Sequence, residues 1–170
     1  MTTRLKLRPY GDPCLRRQAK PVVSVGPAEK LLIREMIPAM YAFDGRGLAA
    51  NQVGIVENIF VADVGEGPFA VINPEILRCS ERMTVLEEGC LSLPTIHIKV
   101  KRPAEIRVRY MNEDNEILDV DLTGLPAKIF QHEIDHLKGR LIIDYATRPE
   151  MDAFVEKLSV PVKKKEKACA

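Results

Sequence analysis

The sequence predicts an α+β fold in which antiparallel strands pack around a central helix. Two pairs of strand-like segments are each joined by a short turn-forming stretch, which is the pattern of a β-hairpin. Segments with helical periodicity lie before and after these pairs, so strands and helices are segregated along the chain and do not alternate. Neither an internal repeat nor a linker divides the 170 residues, of which 46% are hydrophobic. We therefore predict a single domain over residues 1–170, with residues from about 160 to 170 as a flexible basic tail.

The first part of the chain predicts an extended arm followed by a helix. Prolines at positions 9, 13 and 21 favour turns over regular structure in residues 1–25. A helix is predicted from about 28 to 43, because Pro27 suits a first helical position and apolar residues recur at helical spacing. Those apolar residues are Leu32, Met36, Ala39, Met40 and Phe43. Pro38 removes a hydrogen bond inside this helix, so we predict that the helix is bent or interrupted.

Two hairpins are predicted in the middle of the chain. Residues 58–64 and 69–73 are rich in β-branched and aromatic residues, and Gly-Glu-Gly-Pro separates them. Residues 106–111 alternate between apolar and mostly basic side chains, and residues 117–122 follow after the turn-rich Asn-Glu-Asp-Asn. Each pair is expected to form antiparallel strands.

The last part of the chain predicts the central helix, a strand and a short helix. The central helix begins between Thr123 and Pro126 and ends at Gly139, since proline suits a first turn and glycine suits the end of a helix. Residues 141–145 are apolar and β-branched and are predicted to form a last strand. Residues 149–158 are predicted to form a short helix.

The central helix carries the sequence His-Glu-Ile-Asp-His. His132 and His136 are four residues apart, so both imidazoles project from one helical face and can reach one metal ion. Glu133 lies beside them as a candidate proton carrier. This HExxH arrangement is typical of metal-dependent hydrolases and uses two of the three histidines in the chain. The alternative is a pair of surface histidines on an amphipathic helix.

Three kinds of third ligand can complete an HExxH site. A histidine six residues after His136 is excluded, because that position is Ile142. A glutamate from a downstream helix is available as Glu156, although few residues remain after it to form a substrate cleft. The third candidate is Cys90, which lies in a turn-forming stretch over residues 87–94 that can expose its thiol. A thiolate and two imidazoles leave a fourth metal position open for water, as in catalytic sites.

Three stretches of the sequence together resemble the signature motifs of the peptide deformylases. They are Gly-Arg-Gly-Leu-Ala-Ala-Asn-Gln at 45–52, Glu-Gly-Cys-Leu-Ser at 88–92 and Gln-His-Glu-Ile-Asp-His at 131–136. They occur in the order of that family, and the resemblance extends from about residue 9 to residue 145. It implies a single catalytic domain that removes the N-formyl group from the N-terminal formylmethionine of newly made proteins and releases formate.

The resemblance also implies the roles of the reacting residues. Cys90, His132 and His136 would hold one divalent metal ion whose fourth ligand is water. Thiolate and imidazole accept zinc, iron, nickel or cobalt; the family favours Fe(II) in the cell, and purified protein can carry Zn, Ni or Co. Glu133 would accept a proton from the water and give it to the departing amine. The Leu91 backbone N–H and the Gln52 amide would stabilise the oxyanion, unless Gln52 only caps a turn and Leu91 only fills the core.

Four further residues are implied as substrate-binding. Gly47 would let the peptide backbone lie close. Glu88 either bonds the substrate backbone or pairs with Arg102 and holds the cysteine loop in shape, and the structural role is favoured. Arg46 and His97 depart from the family, which usually has a hydrophobic residue and an arginine there. Arg46 therefore alters the rim of the methionine pocket and His97 the grip on the peptide beyond methionine, unless His97 is only a surface strand residue.

Composition limits the partners and the location. The net charge of +1 gives no bias toward DNA or an anionic membrane. No apolar run approaches the ~20 residues of a membrane span, and the N-terminus lacks the apolar core of a signal peptide, so a cytoplasmic location is predicted. Cys14, Cys79 and Cys169 are interpreted as incidental thiols. The basic run at 163–167 is either a solvated end or an attachment to ribosomal RNA phosphate near the nascent peptide.

Two rival hypotheses remain beside the deformylase. One is a small zinc endopeptidase that uses Glu156 as its third ligand. The other is a metal-bound, inactive relative that only binds peptide termini, in which the charge of Arg46 obstructs the pocket.

Overall fold

The structure is a computed structural model that describes residues 4–159, with the side chains of residues 4–155. The strands in this range are β1 (Gly47–Ala49), β2 (Ile59–Asp63), β3 (Pro68–Cys79), β4 (Met83–Cys90), β5 (Leu93–Pro103), β6 (Glu105–Met111) and β7 (Ile117–Thr123). Strands β1, β2, β3, β6 and β7 form one antiparallel sheet in that order, and β4 pairs with β5 in a separate hairpin. The predicted antiparallel α+β class is confirmed. The predicted tail at 160–170 lies outside the described residues.

The α-helices are α1 (Pro27–Ala42), α2 (Gly124–Leu137) and α3 (Arg148–Ser159). All three were predicted within a few residues of these bounds. Helix α1 is continuous through Pro38, so of the predicted alternatives, a bend or an interruption, the interruption is wrong. Pro38 lies on the exposed face of α1, where water can solvate the carbonyl that loses its helical partner, while Ile33 and Met36 hold the opposite face in the core.

The two predicted hairpins are present as β2–β3 and β6–β7. The β4–β5 hairpin was not predicted, although part of its signal was in the sequence. Along β5, the buried Ile96, Ile98 and Val100 alternate with the exposed His97 and Lys99, which is the period of a half-buried strand.

Two segments differ from their predictions. Residues predicted as the last strand form a 3-10 helix, Ile142–Tyr145. Leu141 and the two isoleucines after it are all buried, which does not fit the alternating burial of a strand, and the Asp144 carboxylate accepts a bond from the Leu141 N–H at 2.9 Å and closes a turn. The predicted N-terminal arm contains a short 3-10 helix, Pro13–Arg16, which begins where Asp12 accepts a bond from the Cys14 N–H.

Helices α1 and α2 cover opposite faces of the five-stranded sheet. Ile59 and Val61 of β2 pack in one cluster with α1, whereas Phe60 and Ala62 pack in another with α2. Strand β2 is therefore buried on both faces. The other side of α2 carries His132 and faces the β4–β5 hairpin. None of the helices in the described range is long and apolar enough to cross a membrane.

Candidate metal centre

Cys90, His132 and His136 converge between helix α2 and the tip of the β4–β5 hairpin. Their ligand atoms all lie within 4.8 Å of one another. Cys90 Sγ is 3.2 Å from His136 Nε2, and the two imidazole centroids are 4.9 Å apart. The two histidines therefore lie on one face of the helix, and Cys90, the third ligand that the family resemblance implied, lies beside them.

A change of register directs Cys90 toward the histidines. Strands β4 and β5 pair regularly up to Gly89 and His97, and the register then shifts so that Cys90 lies opposite Leu93. Irregularities of this kind re-aim a side chain at the end of a strand. The thiol becomes buried, with Cys90 only 9% exposed.

The residues at this site fit a divalent transition metal. One thiol sulfur and two imidazole nitrogens are the donors that such ions accept. One buried polar atom beside them, Glu133 Oε2, has no hydrogen-bond partner within the described residues. Buried polar groups normally have partners, so this oxygen is available to a metal-bound water.

Glu88 connects His132, one of the predicted metal ligands, to a buried arginine. Its Oε2 lies 3.0 Å from His132 Nδ1, and Arg102 Nε and Nη2 donate to its two oxygens at 2.7 and 3.0 Å. Burial alone would raise the pKa of Glu88, but the bonds with His132 and Arg102 outweigh it and hold the pKa at about 2. The pairing with Arg102 that the sequence favoured is present, and both carboxylate oxygens already have protein partners.

Glu133 is a buried carboxyl beside the three ligands, 3% exposed. Burial raises the pKa of Glu133 to about 7. A carboxyl with a pKa near neutrality can both accept and donate a proton under physiological conditions. Gly47 lies directly against it, since a Cβ at Gly47 would lie 2.8 Å from Glu133 Cδ. The close approach at Gly47 is therefore to Glu133 within the protein.

Asn51 and Gln52, which precede β2, are buried, and their side-chain amides point in different directions. Gln52 accepts a bond from the Ala49 N–H at 2.9 Å, and its Nε2 lies 3.3 Å from Ser92 Oγ and 3.6 Å from Cys90 Sγ. Its N–H group therefore faces the centre. Asn51 faces the other way and donates to the His136 carbonyl. The sequence assigned no role to Asn51, although it lies inside one of the three signature stretches.

A cavity of about 640 Å³ opens beside the centre. Nine of the ten residues predicted for the site line it, and the tenth, His136, is buried at 1% exposure. The nine are Arg46, Gly47, Gln52, Glu88, Cys90, Leu91, His97, His132 and Glu133. Lining residues that the sequence did not single out include Leu125, Lys128 and Ile129 on α2. Their helical spacing from His132 could have predicted that they lie on the same face of α2 as His132.

Comparisons with known proteins agree on one family. Residues 4–152 match the family model described as polypeptide deformylase. The chain is 52% identical over 139 residues to the peptide deformylase of Thermotoga neapolitana, covering 82% of this chain and 85% of that protein.

Solved structures show the same relationship. The crystal structure of peptide deformylase from Thermotoga maritima has a TM-score of 0.82 at 50% identity and covers 84% of this chain and 97% of that one. The structure from Synechococcus elongatus in complex with actinonin has a TM-score of 0.89 at 37% identity, covering 95% and 89%. With the predicted motifs assembled at one centre, the chain belongs to the peptide deformylase family.

Proposed function

We propose that Cys90, His132 and His136 hold one divalent metal ion, and that formyl-methionyl nascent peptides are deformylated beside it. Peptide deformylases are metal-dependent hydrolases that remove the N-formyl group from newly made proteins. The observation that carries the assignment of residues is the convergence of the three ligand atoms next to the buried Glu133, at one end of a cavity. Fe(II) is the metal we expect in the cell, and Zn, Ni or Co can occupy the same donors.

Glu133 is the residue we assign to proton transfer. A metal held by Cys90, His132 and His136 would supply a water of lowered pKa as the nucleophile. Glu133 accepts a proton from that water at its unpartnered Oε2 and later donates it to the amine nitrogen as the C–N bond breaks. The products are formate and a peptide with a free N-terminal methionine.

Gln52 and Leu91 are the residues we assign to the oxyanion. Gln52 Nε2 already points toward the centre, because its own carbonyl oxygen is held by the Ala49 N–H. A donor fixed in this way stabilises developing charge without first reorganising. The Leu91 backbone N–H is the second proposed donor, at the turn that follows Cys90 and borders the cavity.

The cavity next to these residues is proposed to receive the methionine side chain and the following peptide. Leu91, Leu125 and Ile129 give it an apolar lining, and Arg46 and His97 add polar groups. Gly47 permits the close approach of Glu133. We assign Arg46 and His97 to contacts with the peptide. We assign Glu88 to the support of His132, because both of its oxygens are already bonded.

Formate release tests the activity directly. Metal-replete protein purified without oxygen is expected to release formate from formyl-Met-Ala-Ser and to leave acetyl-Met-Ala-Ser intact. Actinonin, which is bound in the Synechococcus elongatus structure, is expected to compete with this substrate. Tight binding of the formyl peptide without formate would instead favour a relative that only binds peptide termini.

Replacing Cys90 distinguishes the two candidates for the third ligand. We expect Cys90→Ser to lose most of its bound metal, because a neutral hydroxyl is a far poorer donor than a thiolate. Glu156→Ala should keep a full complement of metal. Metal analysis of both proteins after identical dialysis makes the comparison. The reverse result would identify a zinc site built with Glu156, whose side chain lies outside the described residues.

Gly47→Ala tests the position of the Glu133 carboxylate. The added methyl group would overlap Glu133 and displace its carboxylate, so kcat/KM should fall by about 10²-fold, as for a misplacement near 1 Å. Gly26→Ala is the control, because Gly26 has φ −106° and its nearest atom is the flexible Glu29 Oε2 at 3.3 Å. Full activity of Gly47→Ala at normal metal content would contradict the role of Glu133.

The cellular setting is part of the same proposal. We place the protein in the cytoplasm as one catalytic domain, where nascent chains are made. Contact of residues 163–167 with ribosomal RNA stays a prediction, because that run lies outside the described residues. It requires binding to ribosomes that weakens with salt and is lost on truncation after Val162.

A further inference from the structure

A continuous chain of bonded side chains runs from the ligand His132 to the protein surface. Glu88 is bonded to His132 and to Arg102, as described above. The third nitrogen of the Arg102 guanidinium, Nη1, donates to Asp135 Oδ2 at 2.8 Å. The same Asp135 oxygen accepts a bond from the Tyr145 hydroxyl, also at 2.8 Å. The Arg102 guanidinium lies over the Tyr145 ring, 5.1 Å from its centroid.

This chain joins elements that are distant in the sequence. Glu88 is on β4, Arg102 on β5, Asp135 on α2 and Tyr145 on the 3-10 helix that follows it. Its inner members are buried, Glu88 at 2% and Arg102 at 6% exposure, and its outer end, Tyr145, is 36% exposed. Tyr145 can therefore be changed without opening the interior, whereas Asp135, with its side chain 13% exposed, lies between the surface and the buried pair.

The geometry at His132 explains why the chain matters for metal binding. An imidazole binds a metal through one ring nitrogen, and the acceptor at the other nitrogen fixes its tautomer and orientation. Here Glu88 accepts from Nδ1 of His132, which leaves Nε2 for the metal. The position of Glu88 is set in turn by the two parallel bonds from Arg102, so the guanidinium plane determines where His132 points.

Asp135 and Tyr145 complete the positioning of Arg102. Arg102 forms ion pairs with both Asp135 and Glu88, so the three charged groups sum to −1. Because Asp135 takes part of the positive charge, Glu88 is a stronger acceptor for His132 than it would be if it alone paired with Arg102. Tyr145 restrains Asp135 through its hydroxyl and Arg102 through its ring. Removal of either outer group would let the guanidinium rotate and would loosen Glu88.

We propose that Asp135 and Tyr145 are positioning residues for the metal ligand His132, acting through Arg102 and Glu88. This inference rests on the proposed metal site. It assigns a role in metal affinity to a residue of the 3-10 helix Ile142–Tyr145, beyond the helix that carries the ligands.

Zinc affinity of the folded, metal-free protein tests the proposal. The dissociation constant for Zn²⁺ is measured by competition with a chelating dye, for wild type, Tyr145→Phe, Asp135→Asn and the double variant. Asp135→Asn is expected to weaken Zn²⁺ binding by about 10–100-fold, as for other outer partners of a ligating histidine. Tyr145→Phe is expected to weaken it by roughly 3–10-fold, since it acts through Asp135. The double variant should resemble Asp135→Asn alone, because the two residues act in series.

Tyr41→Phe is the matched control. Tyr41 also donates its hydroxyl to an aspartate, Asp63, at an exposed position that is not bonded to any metal ligand. Zn²⁺ affinity should be unchanged in this variant. Tyr145→Phe removes one oxygen and keeps the ring, so the protein is expected to fold, and thermal unfolding of each metal-free variant verifies this.

The results separate this inference from the proposed function. Unchanged Zn²⁺ affinity in both Asp135→Asn and Tyr145→Phe, with at most a lower melting temperature, would assign the chain a purely structural role and overturn the inference. An equal loss in Tyr41→Phe would also overturn it. Wild-type protein that binds Zn²⁺ with these differences but releases no formate would count against the proposed function alone. Wild-type protein without Zn²⁺ affinity would overturn both.

Discussion

Glu133→Gln is expected to lower kcat for a formyl-Met peptide by about 10²–10⁴-fold, the usual contribution of a general acid–base group. The amide has nearly the same shape as the carboxylate, but it cannot accept a proton from water or return one to the amine. Glu133 is buried beside the ligands and does not bind the metal in this assignment, so metal content should stay at the wild-type level. Steady-state formate release, normalised to bound metal, measures the effect.

The pH profile gives this test a second readout. Burial raises the pKa of Glu133 to about 7 in the metal-free protein, and a nearby bound cation would lower it toward its ordinary value of 4.5. The carboxylate must be deprotonated to accept the proton, so kcat/KM of the metal-bound wild type should fall on acidification, with a midpoint between 4.5 and about 7. This acidic limb should be missing from Glu133→Gln. Glu87→Gln, at an exposed position on the same hairpin, should keep both the rate and the limb. A fully active Glu133→Gln would exclude Glu133 as the base.

Arg102→Leu is expected to produce the largest loss of stability. Arg102 is 6% exposed and bonded to two carboxylates, so its removal leaves Glu88 buried without its counter-charge. Breaking a buried ion pair from one side typically costs about 3–5 kcal/mol. The free energy of unfolding of the metal-free protein, from urea denaturation at neutral pH, measures this loss.

Arg109→Leu is the matched control for burial. Arg109 forms the same pair of hydrogen bonds with Asp119, at 2.8 and 2.9 Å. Its side chain is 51% exposed and that of Asp119 28%, against 7% for Arg102 and 1% for Glu88. Exposed pairs contribute little to stability, so this variant should unfold close to wild type. Equal losses in the two variants would show that burial of the Arg102 pair is not the cause.

The Arg102 effect should also depend on pH with a definite sign. In wild type the folded pKa of Glu88 is about 2, below its ordinary value of 4.5, so the stability from this pair is present above 4.5 and is lost as the pH falls toward 2. In Arg102→Leu, burial without the guanidinium raises the pKa of Glu88, so the folded variant takes up a proton on acidification. The difference in unfolding free energy between wild type and variant should therefore shrink as the pH is lowered.

The sequence by itself determined the features that depend on local spacing. Four-residue separation on a helix places His132 and His136 on one face regardless of the rest of the fold. Alternating apolar residues and turn-forming stretches predicted the β2–β3 and β6–β7 hairpins. Cys90 was one of two candidates for the third ligand until the family resemblance was considered, because nothing local to residue 90 fixes its distance from a helix that begins more than thirty residues later.

The pair of Glu88 and Arg102 was already favoured from the sequence, but only the tertiary structure decided what joins it to the rest of the site. Arg102 lies 33 residues from Asp135, and no periodicity of helix or strand relates such positions. Tyr145 reaches Asp135 because residues 142–145 form a 3-10 helix, where their composition had predicted a strand. Apolar content predicts that a segment is buried, but its backbone conformation depends on its contacts. Here residues 141–143 pack against the β4–β5 hairpin, and Asp144 accepts a hydrogen bond from the Leu141 N–H. The three proposed metal ligands could thus be predicted from the sequence and its family resemblance, whereas the side chains bonded around them are brought there by contacts between distant segments.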